Sequence, residues 1–192
     1  MGAGRMKRLA VFASGNGTNF LALAEHFQTS TRGAEIAVLV CDQPGAPVIA
    51  KAARFGIPAH IFNYRDYPTK KAAEQAILAA LPPVDLVVLA GFMRIIGPTL
   101  LAAFPRRIVN LHPALLPAFP GRTGIADAYA YGGKITGVTV HYVDAGCDTG
   151  EIIAHQPARR LPGITESGFE PAIHAPDNPL LPPHRKHLIT KR

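Results

Sequence analysis

Short runs of consecutive apolar residues alternate along this chain with longer stretches in which apolar positions recur every three or four residues. Continuous apolar runs predict strands that are buried on both faces, and the helical spacing predicts helices that cover them. Strands alternating with helices favour an α/β fold whose central sheet is doubly wound and mostly parallel. The predicted strands are RLAVFAS, EIAVLVCD, AHIFN, DLVVLAGF and RIVNLH, and the predicted helices are NFLALAEHFQ, APVIAKAARFG, TKKAAEQAILAAL and PTLLAAF.

The pattern changes after the fifth predicted strand. TGVTVHYVD alternates apolar and polar residues, and EIIAHQ follows it after a turn, which predicts a further pair of strands near an edge of the sheet or near the site. From Pro157 onward we expect irregular structure, because Pro171, Pro176 and Pro179 interrupt what would otherwise be a helix. The chain is interpreted as one domain over residues 1–192, with a ragged extension over 1–7 and an atypical proline-rich segment over 161–192.

Composition narrows the class of protein. Of 192 residues, 48% are apolar and 17% are charged, which is typical of a soluble globular protein, and no apolar run approaches the roughly 20 residues of a membrane span. The two cysteines, Cys41 and Cys147, lie in no metal or redox spacing, so the expected compartment is the reducing cytoplasm. The net charge of +7 comes from the two ends of the chain, and the body is almost balanced, so no nucleic-acid partner is expected.

Ligands of an open α/β sheet bind beyond the carboxyl ends of the strands, and the first stretch in such a position is SGNGTN, residues 14–19. Gly15 and Gly17 allow a tight turn with open N–H groups, and the following helix contributes its positive dipole end, so a phosphate site is predicted. A dinucleotide fingerprint needs a third glycine where this chain has Phe20, although Asp42 ends the second strand where a ribose-binding acid would lie. A dinucleotide site and a turn without a ligand therefore stay open as alternatives.

The second stretch is GFMRII, which runs from Gly91 to Ile96 after the fourth predicted strand. Apolar residues around the single Arg94 could wall a flat aromatic ligand and offer it one cationic contact. Taken alone, the stretch fits a core segment with a surface arginine better.

The third stretch is RIVNLHPALLPAFPG, in which Asn110 and His112 point to the same side of the predicted strand because they are two residues apart. There an amide can donate a hydrogen bond to a reacting carbonyl group while the imidazole moves a proton. A carboxylate is needed to orient the histidine. The glycine-rich loop VDAGCDTG offers Asp144 and Asp148, and spacing does not choose between them. A strand-end pair satisfied by backbone groups is the structural alternative.

The remaining histidines predict no site. His141 and His155 are interpreted as ordinary residues of the last two predicted strands, and His174, His184 and His187 lie in the proline-rich segment. No nucleophile elbow, zinc-ligand spacing or Walker phosphate loop occurs, so no metal is expected.

Four motifs, in this order and spacing, resemble the phosphoribosylglycinamide formyltransferase family of folate-dependent enzymes: VFASGNGTN, VVLAGFMRII, RIVNLHPALLPAFPG and GVTVHYVDAGCDTG. The second half of the pattern is shared with other formyltetrahydrofolate enzymes, whereas the SGxGxN turn singles out this family. The resemblance implies a formyltransferase fold with a Rossmann-like N-terminal half, acting in the cytoplasm as a monomer or homodimer without a metal. The implied reaction transfers a formyl group from 10-formyltetrahydrofolate to the amino group of glycinamide ribonucleotide in de novo purine biosynthesis.

The resemblance also implies roles for the residues around the strand-end pair. Asn110 would hold the formyl oxygen, and His112 would stabilise the tetrahedral oxyanion and act as general acid. Asp148 would pair with His112 and help to move protons through water, which chooses it over Asp144.

Substrate-binding residues follow from the same resemblance. Gly17, Thr18 and Asn19 would bind the ribonucleotide phosphate, Gly91 would contact the glycinamide group, and Asp177 matches a glutamate that contacts the ribose. The folate residues, acting mostly through backbone groups, would be Lys70, Met93, Arg94, Ile95, Ile96, Asp144, Ala145, Gly146 and Cys147.

The chain departs from the family pattern at several positions. Lys70 stands where an arginine is common, Glu151 replaces a proline, Asn178 replaces a histidine, and the closing helix is interrupted or shortened. Two further hypotheses follow, namely a nucleotide- or folate-binding protein with impaired catalysis, or another formyltetrahydrofolate-dependent enzyme. A dinucleotide-dependent oxidoreductase is the alternative from a different class.

Overall fold

The computed structural model of the chain describes residues 5–29, 33–160 and 162–165. Strands and helices alternate through the first part of these ranges, as the apolar pattern predicts. The strands are β1 (Lys7–Ala13), β2 (Ala34–Cys41), β3 (Ala59–Ile61), β4 (Leu86–Leu89), β5 (Ile108–His112), β6 (Ile135–Tyr142) and β7 (Ile152–Arg159). The helices are α1 (Thr18–Thr29), α2 (Pro47–Arg54), α3 (Lys70–Ala80), α4 (Pro98–Ala103) and α5 (Gly124–Tyr131), with one 3₁₀ turn at Tyr64–Asp66.

The strands form one seven-stranded sheet in the order β3-β2-β1-β4-β5-β6-β7. β1 is parallel to β2 on one side and to β4 on the other, and β3 extends the sheet parallel to β2. The strand order reverses at β1, and ligand crevices of doubly wound sheets open beyond the carboxyl ends of the strands at such a point. The predicted α/β fold with a mostly parallel sheet is confirmed.

Burial explains why the first strands read as continuous apolar runs. β1 is buried from Leu9 to Ala13, and the second half of β2 is buried from Val38 to Cys41. Helices cover both faces of a parallel sheet, so neither face of these strands needs polar residues. The helices begin where the sequence fixes the backbone: Pro47 and Pro98 open α2 and α4, and the Thr69 side chain accepts a hydrogen bond from Ala72 N at 3.1 Å to start α3.

β6 and β7 pair antiparallel at the end of the sheet, which confirms the predicted edge pair. The prediction of irregular structure from Pro157 onward is wrong for residues 157–159, because β7 continues to Arg159. Pro157 is exposed and lies opposite Gly137 in this last strand of the sheet. A proline is tolerated in an edge strand because no further strand needs its missing N–H group. The predicted effects of Pro171, Pro176 and Pro179 lie outside the described residues.

α5 and the 3₁₀ turn are absent from the sequence prediction. α5 has only eight residues, GIADAYAY, and it lies between the segments PGRT and GGK. The helix ends at Gly132, which adopts φ 78°, the left-handed cap conformation that glycine favours. In the sequence, this glycine was the feature that could have indicated the end of a helix.

The chain divides into two compact units between Val109 and Asn110, within β5. The first unit carries β1 to β4 with α1 to α4, and the second carries α5, β6 and β7. A single domain over the whole chain stays a prediction. None of the helices in the described part of the chain has both the length and the apolar character needed to span a bilayer.

Candidate active site

In the first unit, the loops that follow β1 and β4 meet. Ser14 N donates a hydrogen bond to Gly91 O at 3.0 Å, and Met93 N donates to the Ser14 hydroxyl oxygen at 2.8 Å. Ser14 is buried, so its side chain fixes the backbone of the second loop against the first. The structure therefore brings together the predicted phosphate turn and the predicted folate loop at the point where the strand order reverses.

The turn at residues 14–17 ends where α1 begins. Gly17 has φ +73°, and a Cβ added there would overlap the side chain of Val48, so the position accepts glycine alone without strain. Leu21 N donates to Gly17 O at 2.9 Å, which closes the first turn of the helix. The N–H groups of Thr18 and Asn19 precede that bond and have no intrahelical acceptor, as at every helix start, so they can bind an anion.

The loop from Gly91 to Ile96 exposes some side chains and buries others. Met93 and Ile95 are 54% and 58% exposed, whereas Ile96 is 4% exposed. Exposed apolar side chains on a loop beside the strand ends offer a surface for a flat, mainly apolar ligand.

The side chain of Arg94 is engaged within the unit. Its Nε lies 2.6 Å from Asp42 Oδ2, and its guanidinium group lies over the ring of Tyr64 at 4.6 Å from the ring centroid. Asp42 is 2% exposed, so this ion pair is removed from solvent on the carboxylate side. Arg94 thus contributes to the shape of the loop. Asp42, the residue that a dinucleotide site would use to bind a ribose, is paired with this arginine instead. Burial, together with the nearby charges of Glu74, raises the pKa of the Tyr64 hydroxyl group.

Glu74 is a supporting residue that the sequence interpretation missed. It is 1% exposed, and its carboxylate accepts hydrogen bonds from Gly97 N at 2.6 Å and Leu100 N at 3.4 Å. These donors are the cap and first turn of α4, so Glu74 fixes the point where the folate loop enters that helix. The signal was a glutamate on the buried stripe of α3, beside Ala73 and Ile77.

In the second unit, β5 presents Asn110 and His112 on one side, as their spacing predicts. Asp148 joins this pair: its Oδ1 accepts a hydrogen bond from Asn110 Nδ2 at 3.3 Å, and its Oδ2 lies 3.4 Å from His112 Nδ1. Asp144 is exposed and is used locally, where it accepts hydrogen bonds from Gly146 N at 3.0 Å and from the Thr149 hydroxyl group at 2.7 Å. Of the two carboxylates that spacing left open, the structure brings only Asp148 to the pair.

His141 is the second residue that the sequence interpretation missed. It is 2% exposed, and its Nε2 lies 3.2 Å from Asn110 Nδ2 and 3.4 Å from Asp148 Oδ1. It lies one residue before the carboxyl end of β6. The rule that singled out Asn110 and His112, polar residues at the carboxyl end of a strand, would have included His141.

The electrostatics of this cluster favour a charged Asp148. The pKa of its carboxyl group is lowered to about 2, first by hydrogen bonding with His141, then by the Gly121 N–H group at 2.8 Å and by the charge of His112, all of which outweigh its partial burial. Asp148 is therefore an anion over the whole physiological range of pH, with its oxygen atoms shared between the two histidines.

The second ring nitrogen of each histidine faces a backbone carbonyl oxygen. His112 Nε2 lies 2.7 Å from Phe119 O, and His141 Nδ1 lies 2.8 Å from Tyr142 O. A carbonyl oxygen only accepts, so these nitrogens carry the protons. The nitrogens that face Asp148 are then bare in a neutral ring and donate to the carboxylate when the ring is protonated.

The other predicted residues have separate places. Lys70 is the exposed first residue of α3, and Ala145, Gly146 and Cys147 lie on the exposed loop between β6 and β7. The Cys147 thiol lies 3.7 Å from Asp148 Oδ2, and burial with that neighbouring charge raises its pKa, which disfavours a reactive thiolate. Asp177 lies outside the described residues. The described ranges contain no group of three histidine, cysteine, aspartate or glutamate side chains arranged to hold a metal ion.

The chain is similar to proteins of a known family. The formyl transferase family model matches residues 7–183. The chain belongs to the formyl transferase family. Among curated members of this family, the phosphoribosylglycinamide formyltransferase of Bacillus subtilis (strain 168) is 45% identical over 96% of this chain and 95% of its own. The enzyme of the same name from Mycobacterium tuberculosis (strain H37Rv) is 45% identical over 91% of this chain and 81% of its own.

Solved structures of formyl transferases have the same fold. Glycinamide ribonucleotide transformylase 1 from Geobacillus kaustophilus superposes with a TM-score of 0.85 at 49% identity, over 96% of each chain. The corresponding protein from Symbiobacterium toebii gives a TM-score of 0.87 at 37% identity, over 95% of this chain and 84% of its own.

Proposed function

We propose that this formyl transferase moves the formyl group of 10-formyltetrahydrofolate to the amino group of glycinamide ribonucleotide, in de novo purine biosynthesis. The observation that carries the proposal is the joint placement of Asn110, His112 and Asp148 in the second unit. These side chains supply an amide donor, a proton carrier and a fixed negative charge. Such a set suits acyl transfer through a tetrahedral oxyanion. The similarity to phosphoribosylglycinamide formyltransferases over nearly the whole chain supports the choice of substrates.

The reaction needs two kinds of assistance. The substrate amine attacks the formyl carbon, the C=O bond becomes a tetrahedral oxyanion, and the C–N bond to the folate then breaks. The attacking nitrogen must lose a proton and the departing folate nitrogen must gain one. A donor at the oxyanion and an acid that can exchange protons with water satisfy these requirements.

His112 is the proposed acid and oxyanion donor. Its Nε2–H group donates to Phe119 O at 2.7 Å, so a contact with the formyl oxygen through that atom requires exchange of this hydrogen bond. Asp148 lies 3.4 Å from the opposite nitrogen, where its charge offsets that of the imidazolium when His112 holds the proton. In that state Nδ1–H donates to the carboxylate, which then also fixes the orientation of the ring.

Asn110 is the proposed partner of the formyl oxygen. Its Nδ2 has two hydrogens, and they point to His141 Nε2 and Asp148 Oδ1 at 3.2 and 3.3 Å. A neutral His141 accepts a hydrogen bond from one of these hydrogens. A protonated His141 donates to Asp148 instead, and that Asn110 hydrogen is then free to bind another acceptor. His141 is therefore a positioning residue in this proposal, because it determines whether an Asn110 N–H is available to the substrate.

Residues of the first unit are proposed to bind the substrates largely through their backbone. Gly17, Thr18 and Asn19 would bind the phosphate, and Gly91 the glycinamide group. Asp177 is proposed for the ribose. The folate would use backbone groups of Met93, Arg94, Ile95 and Ile96, the loop of Asp144, Ala145, Gly146 and Cys147, and the cation of Lys70.

A turnover assay tests the proposal directly. The full chain, given 10-formyltetrahydrofolate and glycinamide ribonucleotide, should release tetrahydrofolate, followed by absorbance, only when both are present. Folded protein that binds either ligand in calorimetric titration but gives no turnover would support the impaired binding protein instead. That alternative is not favoured by the relatives, and neither is an oxidoreductase. The proposal also includes a cytoplasmic location and a monomeric or dimeric state. It includes no nucleic-acid or membrane partner.

A further inference from the structure

Helix α2 forms hydrogen bonds to one side of the predicted phosphate turn. Val48 N donates a hydrogen bond to Gly15 O at 3.2 Å. The Lys51 ammonium group, one helical turn further on, donates to Asn16 O at 2.5 Å and to Asn16 Oδ1 at 2.9 Å. Two successive carbonyl oxygens of the turn are thus held by one helix, and the second of them is held by a positive charge.

The direction of these carbonyl groups fixes the direction of the N–H groups that follow them. In a planar trans peptide, the C=O of one residue and the N–H of the next point in opposite directions. Because Lys51 holds Asn16 O, the N–H of Gly17 points away from α2. Because Val48 N holds Gly15 O, the N–H of Asn16 does the same. The turn therefore presents consecutive donors on its far side, where an anion can lie.

The charge of Lys51 adds to this geometry. A hydrogen bond to an ionised donor is roughly twice as strong as a neutral one, and hydrogen bonds in series polarise one another. An ammonium group on Asn16 O therefore draws electron density through the Asn16–Gly17 peptide and strengthens Gly17 N–H as a donor. A Cβ added at Gly17 would overlap the Val48 side chain, so this part of the turn lies directly against the helix.

We infer that Lys51 is a positioning residue for phosphate recognition: it orients and polarises the Asn16–Gly17 peptide so that the turn binds the phosphomonoester end of the substrate. The inference rests on the proposed function and adds to it a side chain that touches no reacting atom. It assigns Lys51 to affinity for the phosphate, and to neither the chemical step nor folate binding.

Steady-state kinetics of three variants test the inference. Lys51→Met removes the charge and the donor, Lys51→Arg keeps both, and Arg54→Met is the matched control, an exposed cation on the same helix. Lys51→Met should raise the KM for glycinamide ribonucleotide about tenfold, the scale of one charge-assisted hydrogen bond. Its kcat and its KM for the folate should stay within about twofold of wild type, the Arg54→Met values should not change, and Lys51→Arg should recover most of the affinity.

The dephosphorylated substrate, glycinamide ribonucleoside, separates recognition from folding. With it, Lys51→Met and wild type should have the same kcat/KM, because the interaction that Lys51 supports is absent. An equal loss on both substrates would mean that Lys51 only stabilises the fold. Wild-type affinity of Lys51→Met for the phosphorylated substrate would also overturn the inference.

Calorimetric titration with ribose 5-phosphate keeps the inference testable apart from turnover. Wild type should bind this phosphomonoester about tenfold more tightly than Lys51→Met. If the wild-type chain shows this binding but no formyl transfer, the proposed function fails and the role of Lys51 stands. If both proteins bind the probe equally, the role of Lys51 fails whatever the turnover assay gives.

Discussion

The two units use their polar side chains in opposite ways. In the first unit, polar side chains hold the loop that follows β4 in place, through the ion pair of Asp42 with Arg94 and the hydrogen bond of Glu74 to Gly97 N. Backbone groups of the loops are left to face a ligand. In the second, Asn110, His112 and Asp148 hold one another by their side chains, and these same side chains have the chemistry for a reaction. The difference predicts two kinds of variant: changes in the first unit should alter KM, and changes in the second should alter kcat.

The largest expected effect is at His112. His112→Ala removes the proposed acid and oxyanion donor, so kcat should fall by about 10³-fold or more, since each of these contributions is typically worth 10²-fold or more. KM values should change little, which stopped-flow or steady-state assays can measure. His155→Ala, an exposed histidine of β7, is the control and should keep wild-type kcat. A variant at His112 with most of its activity would remove this residue from the mechanism.

A smaller loss of rate is expected at His141. His141→Gln keeps a group able to accept from Asn110 but lacks the rigid ring that also faces Asp148. Loosened positioning of the Asn110 amide should lower kcat about tenfold to hundredfold with KM nearly unchanged. If KM rose and kcat did not, His141 would belong with the binding residues, and the contrast between the units would be weaker.

In the first unit, Asp42→Asn removes the charge that holds Arg94. The loop of Gly91 to Ile96 should lose its fixed shape, so the KM for the folate should rise about tenfold while kcat stays within about threefold. Titration of the folate at saturating ribonucleotide measures this separation. Glu25→Gln, an exposed acid of α1 in the same unit, is the control. A fall in kcat without a change in KM would contradict the assignment of this ion pair to binding.

The smallest effect is on stability and depends on pH. The pKa of Asp148 is lowered from 3.8 to about 2, so its interactions stabilise the folded state fully above about pH 5 and are lost as pH falls toward 2. The contribution at neutral pH is about 2 kcal/mol. Urea unfolding of wild type and Asp148→Asn between pH 7 and about 2.5 should show a gap in the free energy of unfolding that narrows on acidification. A gap that is constant with pH would mean that the Asp148 charge is not stabilised by its neighbours.

Much of the fold is readable from the sequence because the parallel strands are buried on both faces and leave continuous apolar runs. α5 is not, since eight residues carry too little periodicity. In the candidate site, the spacing of Asn110 and His112 predicts that they share a face, which depends only on strand geometry.

The choice between Asp144 and Asp148 depends on loop conformation, which spacing does not encode. Asp148 adopts φ 55°, a left-handed conformation that few non-glycine residues take, and its carboxylate lies 3.4 Å from both histidines. His141 and Glu74 were missed because alternation and helical stripes mark positions as buried without saying which polar groups meet there.

The most direct test of the account compares Asp148→Asn with Asp127→Asn at saturating concentrations of both substrates. Asp127 is an exposed acid of the same unit, hydrogen-bonded to Thr123, so its replacement controls for the loss of one carboxylate. The account predicts that kcat falls about 10²-fold or more for Asp148→Asn and stays within about twofold for Asp127→Asn. Equal kcat values for the two variants would contradict the claim that the second unit carries the chemistry.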